Sequence, residues 1–144
     1  MAIITLISDW GQADWYVAAV KGAIYSALPD ATIVDITHNI EPFDIRSAAF
    51  ILGNCYKNFP KGTIHIVAVE TEESEENPHI VVKADGQYFI GTDNDFFSLM
   101  LGNDAAYEAV YNDVIQDSDY FTFATRDRFV KTAVMLAKGA PMSE

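Results

Sequence analysis

Short apolar runs alternate with stretches of helical spacing through the first half of the chain. Ile3–Ser8 reads as a strand, and Trp15–Leu28 reads as a helix with Val17, Val20, Ile24 and Leu28 at helical intervals. Pro29-Asp30 breaks that helix, and Thr32–Ile36 reads as a second strand. Asp44 is placed to cap a helix over Ile45–Phe59, which Pro60 and Gly62 end. Thr63–Val69 is almost wholly apolar, as expected of a strand covered on both faces of a parallel sheet. A βαβαβ order of this kind predicts an α/β fold: a mostly parallel central sheet with helices on both faces.

The second half is less regular. Ile80–Ala84 and Gln87–Ile90 flank Asp85-Gly86, a strong hairpin signal. Asp95–Leu101 reads as a short helix and Glu108–Tyr111 as a strand. Arg126–Lys138 reads as a last helix, ended by Gly139 and Pro141. No internal repeat or low-complexity linker divides the chain, so residues 1–144 are expected to form a single α/β domain.

Composition adds limits on function. Half of the residues are hydrophobic, enough for a packed core and against disorder. No apolar run reaches the roughly 18 residues of a membrane span, and the start lacks the basic region of a signal peptide. The net charge is −12, from 9 basic and 21 acidic residues. That balance disfavours nucleic acid and anionic membranes as partners, because both are bound by neutralising phosphate. The single Cys55 excludes an intrachain disulfide and suits a reducing, cytoplasmic setting. Its place in an apolar helical pattern predicts packing rather than nucleophilic use.

The segment Ile7–Asp14 carries the sharpest chemistry. Asp9 and Gly11 stand where the first strand opens onto a helix, the place at which open α/β sheets hold ligands. A carboxylate there can accept two hydrogen bonds from a vicinal diol such as a ribose. The competing reading is that Asp9 or Asp14 only caps the helix.

Five pieces, the first of them including this segment, carry a resemblance: Ile7–Gly22, Leu28–Leu52 with its VDITHNIEPFDI core, Phe59–Val69, YFIGTDN over Tyr88–Asn94, and Thr122–Glu144. Their order and spacing resemble the S-adenosyl-methionine hydroxide adenosyltransferase family, which includes the fluorinases and chlorinases. The resemblance implies an α/β N-terminal domain, with the family's C-terminal β domain absent from this chain. It implies a homotrimer with the ligand held between subunits, and S-adenosyl-methionine as substrate rather than cofactor. Water or a halide then attacks the ribose 5′ carbon and methionine leaves. An isolated N-terminal domain is expected to bind the nucleoside weakly and to be inactive, because much of the enclosing surface is missing.

Carried onto this chain, the resemblance assigns the ribose to Asp9, with Trp10 and Asp14 in the same motif. Capping for Asp14 and a surface ion pair for Lys21 compete with ligand roles. Phe43 takes the place of an aromatic that packs on the ligand, or else serves as a hydrophobic staple before Asp44. Asp93 and Asn94 match a ligand-contacting motif, with a turn as the other reading. Thr122 lies in the matched segment near Thr125. Thr125 is a candidate hydroxyl donor to the nucleophile, or the cap of the last helix.

The water-activating residues depart from the family. Glu70 holds the position of an Asp, the Arg position falls near Asn77, and the His position holds Ala124. Glu70 is therefore the candidate base, a modest one unless burial raises its pKa. A halide nucleophile is disfavoured beside Glu70 on so acidic a chain. The alternative is a nucleoside-binding or regulatory module without turnover. His38 and His65 read as structural hydrogen-bonders, and His79 as exposed. Five glutamates within Glu70–Glu76 raise a cation site with Asp93, but no EF-hand or zinc spacing supports one, and no metal is expected.

Overall fold

The computed structural model describes residues 2–9, 15–41, 44–69, 79–92, 96–101, 108–111 and 128–139. Six strands, β1 (Ile3–Ser8), β2 (Thr32–Thr37), β3 (Ile64–Ala68), β4 (His79–Ala84), β5 (Gln87–Thr92) and β6 (Glu108–Tyr111), form one sheet in the order β2-β1-β3-β5-β4-β6. β2, β1, β3 and β5 are parallel, while β4 runs antiparallel to both β5 and β6. The helices are α1 (Tyr16–Ala27), α2 (Ile45–Cys55), α3 (Phe96–Leu101) and α4 (Val130–Ala137). A 3-10 turn over Tyr56–Asn58 extends α2. The expected mixed α/β architecture is thus present, with the hairpin in the second half.

Alternation along the strands divides the core in two. Ile7, Val67, Phe89 and Val82 meet Ala48, Ala49 and Leu52 of α2 and Phe96 and Phe97 of α3 on one face. Ile4, Leu6, Ile66, Ile90 and Val81 meet Val20 and Ile24 of α1 and Val130 and Ala133 of α4 on the other. Covering both faces is what makes β3 apolar at every position outside His65. Cys55, at the end of α2, packs at the margin of the first cluster, and burial pushes its thiol pKa up, as suits filler.

Local chemistry sets the boundaries. Asp44 caps α2, its side chain accepting from the Ser47 amide at 3.1 Å. Asp85 and Gly86 both have positive φ, 53° and 77°, as the tight hairpin turn between β4 and β5 demands. A Cβ on Gly86 would lie 2.9 Å from Lys61 Cγ. Gly86→Val should therefore cost about 1–2 kcal/mol in a denaturant melt, mainly from the left-handed backbone. α4 begins four residues later than its apolar pattern suggests, after a wider turn at Arg128 and Phe129, and ends at Gly139 with φ 92°.

His65, in the middle of β3, is fully buried and fully bonded. Its Nδ1 lies 2.6 Å from Thr5 Oγ1 and its Nε2 2.6 Å from Gln87 Oε1. The Gln87 amide nitrogen donates to the carbonyls of Tyr56 and Phe59, so its oxygen is the acceptor for His65 Nε2–H. His65 Nδ1 then accepts from the Thr5 hydroxyl, and the ring stacks on Phe89 at 4.8 Å. This is the structural role expected of it.

Candidate functional site

In strand order, the chain moves outward from β1 to β2 and then crosses back to β3. The sheet's topological switch point therefore lies at the carboxyl ends of β1 and β3, where such folds bind ligands. Asp9 follows β1 directly at this point and is partly buried. It is not the cap of α1: the N-cap is Trp15, which makes no side-chain capping bond.

A chain of hydrogen bonds lies beneath Asp9. Ser8 Oγ is 2.5 Å from His38 Nδ1, and His38 Nε2 is 2.7 Å from Asp35 Oδ1. Lys21 Nζ donates to Asp35 Oδ2 at 2.6 Å. The carboxylate can only accept, so His38 presents its Nε2–H to Asp35. In the neutral ring Nδ1 then accepts the Ser8 hydroxyl. Burial works to raise the Asp35 pKa, but the bonds and charges of His38 and Lys21 outweigh it and hold the carboxyl below its usual range.

The order hydroxyl, imidazole, carboxylate is that of a nucleophilic triad. Ser8 is only 1% exposed, however, and His38 is fully buried. A nucleophile must meet its substrate, so the arrangement is better suited to bracing: it ties the end of β1 to β2 and to α1. His38 thus has the structural part foreseen for it, and Lys21 the surface ion pair. His38→Ala should lower stability by about 2 kcal/mol, because it leaves the Ser8 hydroxyl and the Asp35 carboxylate short of a partner. Equilibrium urea unfolding measures this.

Of the candidate site residues, Asp9 alone lies within the described residues. Trp10, Asp14, Phe43, Glu70, Asp93, Asn94, Thr122 and Thr125 lie outside them. Several have described neighbours at the same edge of the sheet: Asp9 before Trp10, Val69 before Glu70, and Thr92 before Asp93.

One expectation is corrected. His79 is not exposed but 2% accessible. β4 lies between β5 and β6, and Phe129 packs edge-on against the His79 ring at 4.8 Å. Arg128 Nη1 lies 3.0 Å from His79 Nδ1; a guanidinium only donates, so the imidazole accepts. No local sequence signal marks this pair, nor the Ser8–His38–Asp35 chain. Among the described residues, no group of three side chains is placed to hold a metal ion, and no helix is long and apolar enough to cross a membrane.

Comparison with known proteins shows the family and the fold. A family model described as the SAM hydroxide adenosyltransferase N-terminal domain matches residues 4–144. The chain is 31% identical to an (R)-S-adenosyl-L-methionine hydrolase of Salinispora arenicola, over 98% of this chain and 55% of that protein. It is 37% identical to a Methanocaldococcus jannaschii protein of the same name, over 67% of this chain and 38% of the relative. A fluorinase of Nocardia brasiliensis is 26% identical over 99% of this chain and 56% of its own length. The crystal structure of an uncharacterized conserved protein from Thermotoga maritima superposes with a TM-score of 0.84 at 32% identity, covering 96% of this chain and 55% of that one. The chain thus spans about half the length of the relatives it matches.

Proposed function

The chain belongs to the SAM hydroxide adenosyltransferase N-terminal domain family, and from that membership we propose that the protein binds S-adenosyl-methionine at the carboxyl ends of β1 and β3 and converts it to adenosine and methionine. The observation that carries this is Asp9, directly after β1 at the switch point, on a chain 31% identical to an S-adenosyl-methionine hydrolase. Its carboxylate accepts the two ribose hydroxyls. Charge supports the same ligand, since a protein of net charge −12 attracts a sulfonium that is cationic overall.

In the proposed reaction a water oxygen attacks the ribose 5′ carbon as the carbon–sulfur bond breaks. The bonding pair leaves on sulfur, giving neutral methionine, and the water proton passes to Glu70. A sulfonium leaves readily, so aligning water and carbon contributes more than strong base catalysis. The assay, on the protein with any C-terminal domain that its gene encodes, is product release in 18O-labelled water. Adenosine and methionine are expected in equal amounts, with one labelled oxygen on the adenosine 5′ carbon. Unlabelled or absent product overturns hydrolysis.

A second reading, a nucleoside-binding module without turnover, is favoured by Ala124 and Asn77 standing where the resemblance places a His and an Arg. It predicts tight ligand binding with no product under the same conditions.

A further inference from the structure

One irregularity interrupts the pairing of β1 with β2. Ile3 to Leu6 stand level with Thr32 to Asp35, one for one, but Ile7 stands level with Thr37. β2 therefore has one residue more than β1, Ile36, in the last step before the switch-point edge. Ile36 itself packs against the α2 cluster. Alternation along a regular strand turns residues three apart to opposite faces. The extra residue reverses that, and Asp35 and His38 meet at 2.7 Å. Continued by one position, the shifted register sets His38 beside Ser8, whose Oγ lies 2.5 Å from its Nδ1. Bulges of this kind re-aim a side chain and collect beside functional sites.

What is held at this point is the end of β1. The segment after β2 binds Ser8 twice, its hydroxyl through His38 and its carbonyl through the Ile40 amide at 3.4 Å. Asp9 is the next residue. The segment is itself fixed: the Asn39 amide donates to Thr37 Oγ1 at 3.1 Å, and the Asp44 amide donates to the Glu41 carbonyl at 3.0 Å. Phe43 follows it in the sequence. A fully buried imidazole is a poor device for stability alone, since apolar groups of the same shape commonly replace a hydrogen-bonded pair at little loss. Its distinguishing property is geometric, because a satisfied buried network admits one arrangement of its members.

We infer that His38 is a positioning residue for the nucleoside site. Aimed by the bulge at Ile36 and held between Ser8 and Asp35, it sets where the end of β1 carries Asp9, relative to the segment that leads to Phe43. The inference rests on the reading of Asp9 as the ribose acceptor. Being fully buried, His38 acts through Ser8 and not by contact with a ligand. A diol that donates two hydrogen bonds to one carboxylate is sensitive to small displacements, because such bonds weaken steeply with angle. Precise sites lock the groups behind the contacting ones in the same manner. Lys21 fixes the outer end of the chain by its bond to Asp35.

The test is calorimetric titration with adenosine, on the protein with any C-terminal domain that its gene encodes, in buffer where urea melts show each variant fully folded. Ser8→Ala/His38→Leu removes the hydroxyl and the imidazole together and leaves Asp35 to Lys21. Its stability should fall less than that of His38→Ala, while adenosine affinity falls about tenfold or more. Ser8→Ala alone should also weaken adenosine, and it decides if the double variant does not fold. His38→Asn, whose side-chain oxygen can accept the Ser8 hydroxyl in place of Nδ1, should recover most of the affinity. A brace with no part in the site predicts unchanged affinity in every folded variant; that result overturns the inference and leaves the reading of Asp9 intact. Asp9→Ala separates the two. If adenosine binds Asp9→Ala as tightly as the unaltered protein, or binds neither, the reading of Asp9 falls and the positioning role falls with it.

Discussion

Asp9→Ala should abolish the rise in melting temperature that adenosine or S-adenosyl-methionine confers, with affinity falling on the order of 100-fold. Each hydrogen bond from a ribose hydroxyl to a carboxylate contributes about 1.5–3 kcal/mol, and the proposed diol contact has two of them. A tenfold change in affinity corresponds to about 1.4 kcal/mol, so 100-fold is the lower end of that loss. Asp9→Asn keeps one acceptor oxygen and should fall between the two. If ligand still stabilises Asp9→Ala as it does the unaltered protein, the nucleoside is not held at the end of β1.

Acidification should destabilise the fold by about 3 kcal/mol between pH 6.5 and pH 4, through His65. Burial is the main cause holding its pKa down to about 4, only partly offset by the bond to Gln87. In the unfolded chain the same imidazole titrates near its ordinary value. Between the two pKa values the unfolded state binds the extra proton, so stability rises with pH across this window and is lost as pH falls through it. Asp35 acts in the same direction at lower pH, because its lowered pKa favours the folded state until the carboxylate is protonated. Proton NMR of the His65 ring separates the two: its signals should stay those of neutral imidazole down to about pH 4. A ring titrating near 6.5 in the folded protein would remove this account of the acid sensitivity.

The strands that read clearly in the sequence are those whose signals are local. β1 and β6 have the boundaries their residues suggest, and Asp85-Gly86 marks its hairpin because only a few residue types tolerate two successive positive φ values. Asp44 was similarly visible as a cap. What stayed hidden depends on neighbours distant in the chain. His79 sits just after Pro78 and an acidic run, a context that suggests a loop, yet its burial is decided by the placement of β4 between β5 and β6 and by Phe129 from α4. The Ser8–His38–Asp35–Lys21 chain joins β1, β2 and α1, and no spacing along one segment could reveal it. The candidate site was suggested in the sequence chiefly at Asp9, where an apolar run, a glycine and a helical pattern come one after another.

The reversed direction of β4 has a consequence for how this protein can change. β3 finishes, and β4 starts, at the same edge of the sheet, with β5 between them. The nine residues from 70 to 78 thus leave from and return to the rim that carries Asp9, and neither strand's pairing depends on their number. Insertions, deletions and charge changes there can reshape the rim beside Asp9 while the hydrogen-bonded ladders remain as they are. Sequence change in this one connection can therefore alter the rim's shape and charge with little penalty to folding.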